Sequence, residues 1–303
     1  MKNEMKVKKL RKREHAFFPA IIWTLILIWV IVFLFIMFWA VIQSLKSDIG
    51  FWFDKVGFPS EEYGGWQWEN YKLVFTEVKI PAAGGKMLYL SDMLWNTLYF
   101  CITNGFFYVF SPMICSYVYA KYSKRIRWTK VLWWLVLINL YVPLSASLAA
   151  SLVFAMKLGF YDNLYLYTVT SLVGFGPNFL IYYATWKGVS WDYAEAGFID
   201  GASHTTVMFK IMLPMTRTVF GVLFITSLIG LWTSYETPMV FLPSYPTIAY
   251  GVYYFQHQTG SAAVGNIPVR LAAIMTSATP ALLLFLCFKN KIMGSLTMGG
   301  LKG

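Results

Sequence analysis

Between Pro19 and Ile42 the chain runs for 24 residues without one charged side chain. As an α-helix that stretch is about 36 Å long at about 1.5 Å per residue. It crosses the roughly 30 Å hydrocarbon core of a bilayer with some tilt. Inside lipid the backbone has to satisfy its own polar groups, which restricts spanning segments to helices and closed barrels. Seven basic residues precede the run, Lys2, Lys6, Lys8, Lys9, Arg11, Lys12 and Arg13, and Gln43-Ser44-Leu45-Lys46 follows it. A cleaved signal peptide has a shorter apolar core and a small-residue cleavage site. The run therefore reads as a retained first span.

Five further spans follow, over about Met93–Ala120, Val131–Met156, Leu164–Trp186, Thr218–Tyr235 and Leu271–Phe288. Pro143 and Pro280 fall inside two of them, where neighbouring helices satisfy the freed carbonyls. Only 13% of the 303 residues are charged, against about a quarter in a soluble domain. The expected class is all-α, a polytopic membrane protein with six transmembrane helices. The net charge of +11 does not indicate nucleic acid, because the basic residues sit in short blocks between apolar runs. With the N-terminus inside, 18 of the 25 Lys and Arg lie on inner segments, so both termini are expected in the cytoplasm. The layout is a basic cytoplasmic segment 1–18, a six-helix transmembrane domain 19–288 and a cytoplasmic tail 289–303. Outer loops are placed at about 46–92 and 236–268, and the long inner loop at about 187–217.

The outer loop from Glu236 has no further charge before Arg270. So apolar a loop is expected to fold back in part, as a short helix around Ile248–Phe255. The three cysteines, Cys101, Cys115 and Cys287, lie in apolar runs and read as packing residues. His15, His204 and His257 lack metal-ligand spacing, and no metal site is expected. There is no Gly-x4-Gly-Lys-Ser/Thr phosphate loop, since Gly84-Gly85-Lys86 is followed by Met87. The chain is not expected to be an enzyme or to bind a cofactor of its own.

The inner loop carries the specific signal. From Trp191 to Pro214 it reads as two short helices joined at Asp200-Gly201, a turn dipeptide in which glycine accepts positive φ. Ser203 is placed to cap the second helix, and Pro214 marks its end. Phe198, Ile199, Val207, Met208 and Ile211 are expected to form an apolar face suited to a groove on another protein.

The pattern Glu195-Ala196-Gly197, three residues, Gly201, nine residues, Ile211, one residue, Leu213-Pro214 resembles the cytoplasmic EAA loop of ABC importer permeases. The family form has alanine where this chain has Gly197. Asp200-Gly201-Ala202-Ser203 is similar to the version in carbohydrate importers. The tail, with Gly299-Gly300-Leu301-Lys302-Gly303, is similar to that of the smaller permease of maltose-type transporters. The resemblance implies a maltose-transporter-like fold in the plasma or inner membrane of a prokaryote. It implies that Glu195, Ala196, Gly197, Asp200, Gly201, Ala202, Ile211, Leu213 and Pro214 couple to an ATPase, and that Gly299, Gly300 and Lys302 reach the ATPase interface. The implied partners are a second homologous permease, two ATPase subunits that use ATP and Mg, an extracytoplasmic solute-binding protein, the lipid bilayer and a carbohydrate. Nucleic acid is not among them.

Asn139, Tyr141, Asn178 and Tyr182 in the third and fourth spans, and Trp232, Tyr235 and Glu236 near the outer end of the fifth, are candidates for a solute pathway. Amides and hydroxyls meet sugar hydroxyls and rings stack on sugar faces, but such groups also form interhelical hydrogen bonds. Where the family often has Trp-Asn-Glu-Phe, this chain has Trp232-Thr233-Ser234-Tyr235. A permease for a non-sugar solute, an ion-coupled secondary carrier and an intramembrane enzyme are the competing readings. The spans lack the buried charges of a carrier and any nucleophile–base set.

Overall fold

A computed structural model describes residues 2–81, 85–123, 128–141, 148–257 and 266–298, with side chains from residue 19 to 291 of these, Asn139 excepted. Pro143, Gly299, Gly300, Lys302 and the side chain of Asn139 lie outside the described residues. The chain divides into two compact units, Met1–Val74 with Thr259–Met275, and Phe75–Gln258 with Thr276–Gly303.

In the first unit α1 (Lys2–Ser44) is followed by the short α2 (Asp48–Phe53). From Pro19 to Ile36 every side chain of α1 is exposed, Trp23 by 70% and Trp29 by 67%. An apolar surface of that extent is incompatible with water and is what lipid covers. Beyond α1 the chain is tied down by polar groups. The amide of Asn70, at the start of α3 (Glu69–Glu77), donates to the carbonyls of Ser44 and Lys46, both at 2.8 Å, which closes the end of the helix. Lys46 is 98% buried and donates to the Asp54 carbonyl, while its ammonium lies 3.6 Å from the Asp54 carboxylate. That carboxylate accepts from the Gly57 and Val56 amides at 2.8 and 3.1 Å. These bonds, the one from Gly57 foremost, hold the Asp54 carboxyl below its ordinary value of 3.8.

The second unit is built on α4 (Leu90–Tyr122), which packs most extensively against α8 (Pro177–Gly188) and α12 (Arg217–Thr233). Gly105 permits the close approach, with Leu228, Phe224 and Leu231 within 3.6 Å of where a β-carbon would stand. Pro112 lies inside α4. It has no N–H, so the carbonyl of Tyr108 loses its helical partner. Asn178 of α8 donates to that oxygen at 3.3 Å.

A two-stranded antiparallel ribbon, β1 (Lys79–Pro81) and β2 (Met87–Tyr89), with Ile80 opposite Leu88, leads into α4. The third expected span is divided between α5 (Thr129–Tyr141) and α6 (Leu148–Lys157), with 142–147 outside the described residues. The fourth expected span, Leu164–Trp186, is not one helix. A short α7 (Leu164–Tyr167) and a 3₁₀ turn (Thr168–Ser171) precede α8. Gly174, Gly176 and Pro177 account for the break: glycine disfavours helix, and the proline ring pre-forms a new first turn.

The remaining elements are α13 (Glu236–Phe241), α14 (Ile248–His257) and α15 (Ile267–Met298). The short helix expected around 248–255 is α14. Its start is pinned by Thr97, whose hydroxyl accepts from the Ile248 amide at 2.9 Å. Asp162 has φ 53°, and its carboxylate accepts from both the amide and the hydroxyl of Ser244, at 2.8 and 2.7 Å. The Asp162 amide donates to Phe241 at 2.8 Å. Among the described residues Pro19–Ser44, Leu90–Tyr122 and Ile267–Lys291 are long and apolar enough to cross a membrane alone. The bent pair His204–Met215 and Arg217–Thr233 passes together.

Candidate coupling site

The inner loop forms an elbow of two arms. The first is α9 (Asp192–Ile199). The second comprises α10 (His204–Thr206), a π-helical turn (Val207–Met212) and α11 (Leu213–Met215). Gly201 makes the bend, at φ +81° with nothing within 4 Å of a built β-carbon. The glycine is thus required by backbone conformation and not by space. The Ser203 hydroxyl accepts from the Thr206 amide at 3.2 Å and caps the second arm. Pro214 offers no N–H to the turn before it, and the widened π turn immediately upstream takes up the change of register. Thr216 alone separates the second arm from α12, and the two axes differ by 70°.

The arms are seated on α4 and α8 by a buried cluster of Met113, Tyr117, Trp186, Ala194, Val207 and Met212. The Trp186 indole donates to the Met113 carbonyl at 3.3 Å. The Lys121 ammonium donates to the Val189 carbonyl at 2.5 Å, and Tyr122 shares a hydrogen bond of 3.0 Å with His204 Nδ1. Phe198 and His204 rings lie 4.7 Å apart, and Trp191 meets Tyr122 edge-on at 5.6 Å. The elbow is therefore packed as firmly as a core, although it is a connection.

This packing revises the expected apolar face. Val207 is fully buried, and Phe198, Met208 and Ile211 pack on the cluster. Only Ile199 of the five points away, 85% exposed. The arms are too short to bury one face inward and keep a second apolar one outward. Of the pattern residues, Glu195, Ala196, Asp200, Gly201 and Pro214 are exposed and Ala202 is half-buried. Gly197 and Leu213 are buried. Gly197 is where α9 touches the second arm: a β-carbon there would stand 2.7 Å from Ile211 Cδ1 and 3.1 Å from Val207 Cγ2. On the first arm Glu195, Ala196, Ile199 and Asp200 form an exposed arc, and Phe209 and Lys210 are exposed on the second.

The solute-pathway candidates do not converge on one site. Tyr182 is fully buried in the cluster beneath the elbow. Asn178 repairs the Pro112 break, and Tyr141 is 82% exposed. Trp232 is buried, its indole donating to the Ser277 carbonyl at 2.9 Å beside Pro280. Tyr235 stacks on Tyr253 at 4.1 Å, which in turn lies 4.2 Å from His257. Glu236 is exposed at the start of α13. Tyr253 and His257 were not singled out by sequence. Their spacing of four on a helix is the signal that places them together. Among the described residues no group of three His, Cys, Asp or Glu is arranged to hold a metal.

Residues 112–288, more than half of the chain, match the model of the family described as binding-protein-dependent transport system inner membrane component. The chain belongs to this family. The match takes in the whole elbow, α8, α12 and the part of α4 that carries Met113 and Tyr117. This permease is 24% identical over 288 residues to the diacetylchitobiose uptake system permease protein of Streptomyces coelicolor, covering 93% of this chain and 88% of that one. It is 25% identical over 255 residues to the maltodextrin transport system permease protein of Bacillus subtilis, covering 82% and 86%. A solved bacterial ABC transporter involved in the import of the acidic polysaccharide alginate contains a chain with the same fold. The TM-score is 0.71 at 18% identity, over 92% of this permease and 97% of that chain. The permease is accordingly a multi-pass membrane protein of the ABC importer permease fold, and its family transports solutes instead of catalysing reactions.

Proposed function

We propose that this permease is one of two membrane subunits of an ATP-driven importer for a mono- or oligosaccharide. Its elbow is the seat of a separate ATPase. The observation that carries the reading is the exposed arc of Glu195, Ala196, Ile199 and Asp200 on a bend whose arms are locked into the helix bundle. Ile199, a leucine-sized side chain that is 85% exposed, is the kind of apolar anchor that a partner groove takes up. The carbohydrate class is supported by relatives whose names carry diacetylchitobiose and maltodextrin. Both termini lie in the cytoplasm, as the basic blocks require. The tail residues Gly299, Gly300 and Lys302 are assigned to contact with the same ATPase pair by the likeness of their sequence to maltose-type tails. A second homologous permease completes the pathway, a solute-binding protein delivers sugar to the outer loops, and ATP with Mg is consumed by the ATPase subunits.

Co-purification of the full chain followed by uptake in proteoliposomes tests this. Ile199→Asp and Glu195→Ala alter only exposed positions, so folding is retained while ATPase capture and ATP-driven uptake fall. Full uptake without any nucleotide-hydrolysing partner would refute the proposal.

A further inference from the structure

A cleft of about 830 Å³ opens between α12 and the second half of α15, at the end of α12 that joins the elbow. Its walls are apolar along Ile225, Leu228 and Leu284, and its mouth carries Arg217, Asn290 and Lys291. Among the described residues no acidic side chain lines it. Among the described residues the ion pairs are Lys46–Asp54, Lys72–Glu69 and Lys79–Glu77, so neither cation of the mouth is matched by a carboxylate there. From Arg217 to Leu228 the helix rises about 16 Å, close to the hydrocarbon depth of one leaflet, half of about 30 Å. Gly221 lies on its wall, and a β-carbon there would meet nothing within 4 Å, so a large side chain at this position has room to enter the cleft.

The geometry points to a binding site for one anionic phospholipid. Its phosphate sits between Arg217 and Lys291, with the Asn290 amide as a further donor, and an acyl chain lies along Gly221, Ile225 and Leu284. Fixed cations at leaflet depth, an apolar trough of leaflet length and the lack of any acid select a negatively charged headgroup over a zwitterionic one. Arg217 directly follows the Thr216 bend, so the headgroup is held against the junction of elbow and span. This inference is independent of which solute the permease carries.

Native mass spectrometry of the full chain, purified with its co-purifying subunits, tests it by titration with phosphatidylglycerol, phosphatidylcholine or inorganic phosphate. One phosphatidylglycerol is expected to be retained in preference to phosphatidylcholine. R217Q/K291Q weakens that retention about 25-fold, at about five-fold for each basic residue. Gly221→Leu, which enters open space and favours the helix, abolishes it with both charges in place. Equal retention of phosphatidylcholine, phosphate binding as tight as the lipid, or retention unchanged in both variants would overturn the site. So would an assembly that holds no lipid there and loses a second subunit on Gly221→Leu, since a neighbouring helix would then be the occupant.

Discussion

The contact between Gly197 and Ile211 ties the one departure from the family loop pattern to a measurable energy. Replacing Gly197 by alanine puts a methyl carbon 2.7 Å from Ile211 Cδ1 and 3.1 Å from Val207 Cγ2, where carbon atoms prefer about 3.5–4.0 Å. Ile211 Cδ1 is the free end of its side chain and can swing aside. Leaving a rotamer well costs about 0.5–1.5 kcal/mol, and overpacking a fixed seat costs about 1–3 kcal/mol. Alanine returns about 0.5–1 kcal/mol of helix propensity in α9. The expected net loss for Gly197→Ala is about 1 kcal/mol. Ile211→Val removes the colliding carbon and by itself costs about 0.5–1.5 kcal/mol as a small cavity. In the double variant the alanine occupies part of the vacated space. The two losses then fail to add, with a favourable coupling of about 1 kcal/mol. Thermal unfolding of the four proteins in one detergent reads this as midpoint shifts of about 2–4 °C per kcal/mol. Strictly additive shifts would show that the arms do not meet at this pair and would refute the packing described for the elbow.

Gly201→Val forces a β-branched residue to φ +81° and is expected to cost at least the ~1–2 kcal/mol of a left-handed residue. ATP-driven uptake should fall while membrane insertion is kept, and Gly201→Asn should retain more uptake than Gly201→Val. Asn178→Leu leaves the Tyr108 carbonyl without its partner and is expected to destabilise by about 0.6 kcal/mol, the average for an interhelical bond in membranes. Solute selectivity should not change, because the amide serves α4; altered selectivity in competition uptake would contradict that role. The Asp54 carboxyl has a folded value below 3.8, so its contribution is complete above that pH and is lost as pH falls through the folded value. Hydrogen exchange at the Val56 and Gly57 amides should therefore quicken in acid, and Asp54→Asn should show no such step.

Much of the elbow was legible in its sequence because the determinants are local. Gly201 marks a positive φ, Ser203 is a cap two residues on, and Pro214 stands in the last turn of the arm, one residue before its end; each needs only its neighbours. The direction of the apolar side chains was not legible. It depends on packing against Tyr117 and Trp186 of α4 and α8, which leaves Ile199, alone of the five residues expected on that face, exposed. Asn178 illustrates the same limit. Its polar side chain in an apolar segment reads equally as a solute contact. Only its placement beside the carbonyl four residues before Pro112 reveals that it mends a helix. The fourth span was misread as continuous because apolarity was weighed above Gly174, Gly176 and Pro177, although these breakers were present in the run. Tyr182 was placed on the pathway by residue type, whereas its position on α8 turns it into the seat.

The single-residue junction at Thr216 has a consequence for motion. Its hydroxyl donates back to Leu213 at 2.9 Å and its carbonyl accepts from Phe220 at 2.9 Å, so the last turn of one helix and the first of the next are stitched through the same residue. A hinge with so few free torsions has no play in it. Tilting the elbow by any angle obliges α12 to swing with it, as two limbs of one bell crank, and the amplitude delivered at the far end grows with the length of the longer limb.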